Sequence, residues 1–128
     1  MGSPVYPQTP PGGYIQLAVV TPHSLLDRII DACNQSAIVT SYTVRSLDLD
    51  ILNVRVYLVD DSFIEAFYNV TTNKTAFALI VNNQRIYGKD NAKLGWHVHP
   101  MDNPSAHNLC PPVSFEKFLI EVETLRFS

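Results

Sequence analysis

The sequence predicts an α+β fold: an antiparallel sheet of four to five strands, a meander, with an N-terminal and a C-terminal helix packed on it. Three observations predict it. Apolar residues recur at helical spacing at Leu25, Leu26, Ile29, Ile30 and Cys33, and again at Phe115, Phe118, Leu119, Val122 and Leu125. Between these stretches, from Ala37 to Ile86, the pattern changes to alternation and to β-branched residues. The turns inside that region are short, and short turns join antiparallel neighbours.

Each element has a local reason. Residues 1–13 hold four prolines and paired glycines and read as a flexible or extended tail, ahead of a single α+β domain over 14–128. Tyr14 to Val20 suits a short strand laid along an edge. Thr21 is an N-cap, and Pro22 fits the first helical position because its missing N–H has no helical partner there. The spacing predicts a helix over 22–34, with Asp27, Arg28 and Asp31 on its wet side and Cys33 as core filler. Ile38 to Val44 is the first strand of the meander. In Ile51 to Val59, Leu52, Val54, Val56 and Leu58 alternate with Asn53, Arg55 and Tyr57, as in a half-buried strand. Phe63 to Val70 and Thr75 to Val81 follow, separated by polar turns. Asn82-Asn83 tolerates left-handed dihedrals and predicts a tight hairpin into 84–87. Residues 88–113 show little regular pattern. Ser114 then caps a helix over 115–125, with Glu116 in its first turn, where the helix dipole favours an anion. Each helix has one apolar stripe, which suits packing on one face of a sheet. With both on the same face, the other face carries Arg55, Tyr57, Glu65 and Phe67 and offers a surface for a homodimer or another partner.

Composition narrows the function classes. A formal charge of −3 and a pI near 5.7 supply no global positive field for nucleic acid. RNA binding would need a local patch, for which Arg55, Arg85, Lys89 and Lys93 are available. No stretch reaches the ~20 apolar residues of a membrane span. The first apolar run has no basic start and no small-residue cleavage site, so a cytoplasmic location with both Cys33 and Cys110 reduced is expected. Neither a Gly-rich phosphate loop nor a Cys-x-x-Cys pair occurs.

Chemistry concentrates in one segment. Three of the four histidines are His97, His99 and His107, and Cys110 follows three positions later. Imidazole is suited to proton transfer near neutrality and is the commonest metal ligand. On an extended backbone His97 and His99 point to the same side. Two readings follow. In the first, which needs no cofactor, His97 and His99 are an acid–base pair acting on a phosphodiester, with His107 auxiliary. Asp90 then orients a ring, Lys89 or Arg85 steadies an anion, and Arg85, Trp96 and Asn91 contact substrate. In the second, His97, His99, His107 and Cys110 hold zinc, or Asp90 replaces Cys110. Glu65 and Tyr68 could join either site. The plain alternatives are that the histidines bond loop carbonyls, that Trp96 covers the core, and that Asp90-Asn91 shapes a turn. His23, on the first helix, is expected to be exposed and receives no role.

Over residues 50 to 123 the chain also resembles the TumE-type toxins of prokaryotic toxin–antitoxin pairs. Asp60-Asp61-Ser62-Phe63-Ile64-Glu65 is similar to their Asp-Gly-Ser strand turn. Thr75 to Ile80 is similar to their aromatic-rich middle strand. Arg85 to Ala92, with the following Trp96-His97-Val98-His99-Pro100 and His107, resembles their Asp-Asn-Ala and histidine-rich close. Asp61 stands where that family has glycine, and Lys93-Leu94 where it has a Pro-His-His run. The resemblance implies a small α+β growth-inhibiting toxin with an antitoxin protein as partner. RNA cleavage is an expectation from histidine chemistry rather than from the resemblance.

Overall fold

The computed structural model describes residues 19–93 and 95–128. The expected tail over 1–13, most of the expected strand Tyr14–Val20, and Leu94 lie outside the described residues. The last two residues of that strand, Val19 and Val20, are exposed and irregular.

Helix α1 runs Pro22–Gln35. The Thr21 side chain accepts from the Ser24 backbone N–H, and the Ser24 hydroxyl accepts from the Thr21 N–H, each at 3.0 Å. Two helix-start donors are thus satisfied reciprocally. The sheet comprises β1 (Val39–Leu47), β2 (Ile51–Leu58), β3 (Phe63–Asn69), β4 (Lys74–Val81), β5 (Gln84–Asp90), β6 (His97–His99) and β7 (Asn108–Leu109). All neighbours are antiparallel and the spatial order equals the chain order. The meander is therefore longer than the four or five strands expected, because β6 and β7 extend it beyond β5. At three and two residues they are too short to show a period. Asp61, Asn73, Asn82 and Asn83 take the positive φ values of the tight turns, Asn82 and Asn83 at 51° and 64°.

Helix α2 runs Phe115–Val122, capped by the Ser114 hydroxyl, which accepts from the Lys117 N–H. It ends earlier than the spacing suggests and widens into a five-residue π-helical turn, Glu123–Phe127. Leu125 consequently leaves the stripe and is 49% exposed. Both helices pack on one face of the sheet. Leu52, Val54, Val56 and Leu58 of β2, Ile64 and Ala66 of β3, and Phe77 and Leu79 of β4 are buried there with Ile29, Cys33, Phe115, Phe118 and Val122. Burial pushes the Cys33 thiol up to about 11, in keeping with a core role. Phe77 sits at the middle of the aromatic packing, with ring centroids 5.4–6.4 Å from those of Tyr68, Trp96, Phe115 and Phe118. No described helix is long and apolar enough to cross a membrane.

No helix covers the opposite face among the described residues. The Arg55 guanidinium lies 4.2 Å from the Phe63 ring centroid there and pairs with Glu65. Two rows of paired residues cross this face. One is Asn53, Phe67, Ala76, Asp90, His97. The other is Arg55, Glu65, Ala78, Gly88, His99. The rows bring β5 and β6 chemistry to the side away from the helices.

Because Phe77 is fully packed between the sheet and Phe115 and Phe118 of α2, Phe77→Ala is expected to lower unfolding stability by about 3–5 kcal/mol in urea titration. A loss below about 1 kcal/mol would contradict its central position.

Candidate functional site

The open face of β5 and β6 gathers Asp90, His97 and His99, because alternation sends every second residue there. The same alternation turns Trp96 and Val98 toward the core. The loop 100–107 then folds back and sets His107 against the other two rings. Centroid separations are 5.0 Å for His97–His99, 5.2 Å for His97–His107 and 4.5 Å for His99–His107. The convergence expected of these rings is present. One nitrogen from each lies within 4.8 Å of those of the other two. The loop also explains why His99 is 2% exposed on a face that no helix among the described residues covers. His107 itself is exposed.

Backbone carbonyls set the rings. His97 Nδ1 lies 3.0 Å from the Gly95 carbonyl, and His99 Nδ1 lies 3.0 Å from the Ala106 carbonyl. A carbonyl only accepts, so each Nδ1 carries the hydrogen and donates it. In a neutral ring Nε2 is then a bare lone pair. Both Nε2 atoms face one carboxylate: His97 Nε2 is 3.1 Å from Asp90 Oδ1, and His99 Nε2 is 3.1 Å from Asp90 Oδ2. Asp90 Oδ1 also accepts the Ala92 N–H at 3.0 Å. Each Nε2 is thus placed to donate to Asp90 when its ring is protonated or, in the neutral ring, to offer a lone pair beside that carboxylate. The neutral form is repulsive until a cation, a proton or a metal ion, enters it.

The remaining expected site residues are distributed by the same alternation. Lys89, next to Asp90, points to the helix face, where its Nζ donates to Glu121 Oε2 at 2.8 Å. Tyr87 donates to Glu121 Oε1 at 3.0 Å. Lys89 is therefore across the sheet from the imidazoles it was expected to assist. Trp96 is likewise on the helix side, packed against Phe77 rather than lining the histidine face. Asn91 shapes the β4–β5 end: its Oδ1 accepts from the Thr75 N–H at 2.8 Å, and its Nδ2 donates to the Asn73 carbonyl at 2.7 Å. Cys110 is not in the convergent group. Leu109 pairs with His97 and shares its face, so the next residue turns away. Burial raises the Cys110 thiol, with Lys89 acting against this and Glu121 and Asp90 adding to it. Arg85 stays on the histidine side and donates from Nη2 to the Pro104 carbonyl at 3.2 Å. Glu65 is engaged by Arg55 on the open face, and Tyr68 is packed against Phe77 on the other. His23 is exposed, as expected.

The plain alternative that the histidines bond loop carbonyls holds for His97 and His99; what sequence reasoning did not give is which carbonyls, those of Gly95 and Ala106. They are backbone atoms and leave no side-chain signal. Gly95, at φ 102°, is the one hint, since glycine readily takes that dihedral. Comparison with protein-family models, curated proteins and solved structures gives no match, so the geometry of this face carries the functional argument.

Desolvation, then the neighbouring His99, His97 and Arg85, push the His107 pKa below its ordinary 6.5, while Asp90 pulls it up. The folded state then resists protonating His107 more than the unfolded chain does. Its contribution to stability is complete above 6.5 and is lost as pH falls through the depressed folded value. His107→Gln is expected to flatten the fall in urea midpoint over that acid window. Superimposable pH profiles for the two proteins would remove the shift.

Proposed function

We propose that the open face of β5 and β6 is a divalent transition-metal centre, with zinc the ion its donors suit. The observation that carries this is the convergence of three imidazoles, two of them with Nδ1 held by a backbone carbonyl so that Nε2 is directed to the Asp90 carboxylate. Metal-bound histidines typically donate their other N–H to a carbonyl or carboxylate in this way. The 3.1 Å N–O separations are near the ~3.3 Å expected between tetrahedral donors about 2.0–2.1 Å from zinc. His107, exposed and adjacent, is the third nitrogen donor. Asp90, like Cys110, is outside the three mutually close donors, but its contacts to two of the rings make it the nearer candidate for a fourth ligand. When bound, such an ion supplies Lewis acidity and lowers the pKa of water. The chain's own residues hold the donors, and His107 at the rim leaves the centre open to solvent.

The second reading is metal-free RNA cleavage by a toxin-like protein regulated by an antitoxin. The observation favouring it is an exposed His107 at the rim whose pKa is pushed down, first by desolvation and then by His99, His97 and Arg85. His107 would be the base in that reading. His97 and His99 fit poorly as the acid–base pair, since the Nδ1 of each is held by a carbonyl and the Nε2 of each faces Asp90 rather than the rim. A general base needs a nitrogen within hydrogen-bond reach of substrate.

The full-length protein, titrated with zinc after removal of bound metal, is expected to retain one ion per chain on dialysis. His97→Ala and His99→Ala should each abolish that retention. Absence of stoichiometric zinc, together with RNA cleavage that survives a chelator and disappears in His107→Ala, would replace the metal reading by the acid–base one.

A further inference from the structure

We propose that Arg85, laid across Gly88, is the positioning residue that holds His107 in the donor set of His97 and His99. The inference rests on the metal-centre reading and assigns the strut that completes it. His107 stands on the loop between β6 and β7. Inside that loop the Asn103 N–H donates to the Pro100 carbonyl at 3.1 Å and the Ala106 N–H to the Asn103 carbonyl at 3.0 Å. These bonds curl the loop but do not anchor it to the sheet. Met101 packs against the core at the start of the loop, and among the described residues three polar contacts tie down the rest: the short β7 pairing, the His99 contact to the Ala106 carbonyl, and the Arg85 bond to the Pro104 carbonyl. Of the three, only the Arg85 bond comes from β5.

Gly88 makes the reach feasible. It pairs with His99 and lies in the same row of the open face. A Cβ added there would stand 3.2 Å from Arg85 Cδ and 3.0 Å from the Phe77 carbonyl oxygen. The bare backbone at 88 therefore lets the arginine stem lie flat along the sheet toward the loop. Ordering so long a side chain costs rotamer entropy, and the carbonyl bond together with the packed stem offsets it. Pro104 is three residues before His107, so fixing its carbonyl limits where the third ring can go.

Charge makes the inference sharp. A guanidinium near a cation site repels the cation. If Arg85 acted only through its charge, Arg85→Ala would bind zinc more tightly. A strut predicts the opposite sign. Zinc titration of the full-length protein, Arg85→Ala, His107→Ala and the double variant tests this. Arg85→Ala is expected to weaken binding roughly tenfold, the lower end for residues that orient ligands. The double variant should bind no more weakly than His107→Ala alone, because a strut has nothing to position once the ring is gone. Arg85→Lys, with one donor able to reach the carbonyl, should restore part of the affinity. Unchanged or tighter binding in Arg85→Ala, or additive effects in the double variant, would overturn the proposal.

A metal-free readout keeps the two readings apart. The His99 and His107 rings are close enough for a nuclear Overhauser contact, which should be present in the parent protein and absent in Arg85→Ala. If that contact behaves so while the parent binds no zinc, the strut stands and the metal centre falls. If the parent binds zinc and Arg85→Ala changes neither contact nor affinity, the metal centre stands and the strut falls.

Discussion

Alternation along β6 is the constraint on which the arrangement depends. Four consecutive residues, Trp96, His97, Val98 and His99, are divided between two environments by a period of two. Trp96 and Val98 pack against the core, and this apolar pair fixes which way the strand faces. His97 and His99 have no choice but the open side. A slip of one residue would bury two imidazoles among Phe77 and Phe118 and expose a tryptophan. The cost of burying unpaired polar groups makes that register untenable. The donor set is thus held in place by hydrophobic packing on the far side of the sheet.

The same rule separates two polar systems that are adjacent in sequence. Lys89 and Asp90 are neighbours, yet one answers to Glu121 on α2 and the other to two histidines. On the helix side, the lysine ammonium and the Tyr87 hydroxyl satisfy a carboxylate, so charge and hydrogen bonds balance. On the open side the carboxylate meets two imidazole nitrogens instead of an ammonium and a hydroxyl. The difference in donor type across a single strand is what separates a structural ion pair from a candidate centre.

Most of the frame was readable before the coordinates. Thr21, Pro22 and Ser114 marked helix starts through their caps, and Asn82-Asn83 marked the hairpin through its dihedral tolerance. The even positions of β2 announced the buried face. Pairing His97 with His99 needed nothing more than alternation, and the side of Trp96 followed from that rule too, although it was first counted as a substrate contact. The end of β5 was harder. Whether Lys89 or Asp90 faces the imidazoles depends on register against β4 and β6, which local pattern does not contain. The carbonyls that orient the rings come from loop geometry at Gly95 and Ala106. Likewise, the exclusion of Cys110 depends on a two-residue strand.

Size argues for an ion rather than an organic ligand at the histidines. Small-molecule sites are typically concavities of roughly 300–1,000 Å³ lined by apolar groups. A groove of about 460 Å³ does exist, but it lies between the helices, lined by Arg28, Ala32, Leu119 and Glu123 among others. A smaller hollow of about 110 Å³ sits beside Trp96 and Tyr68 on the same helix side. Neither includes a histidine of the cluster. The open face instead offers donors packed ring against ring, with centroids 4.5–5.2 Å apart and a carboxylate already touching two of them. An ion needs no enclosed volume, only donors at the right spacing. An extended polymer such as RNA could still reach the exposed rim at His107 without entering a cavity. In the metal reading, the spacing of the three imidazole nitrogens suits a single cation.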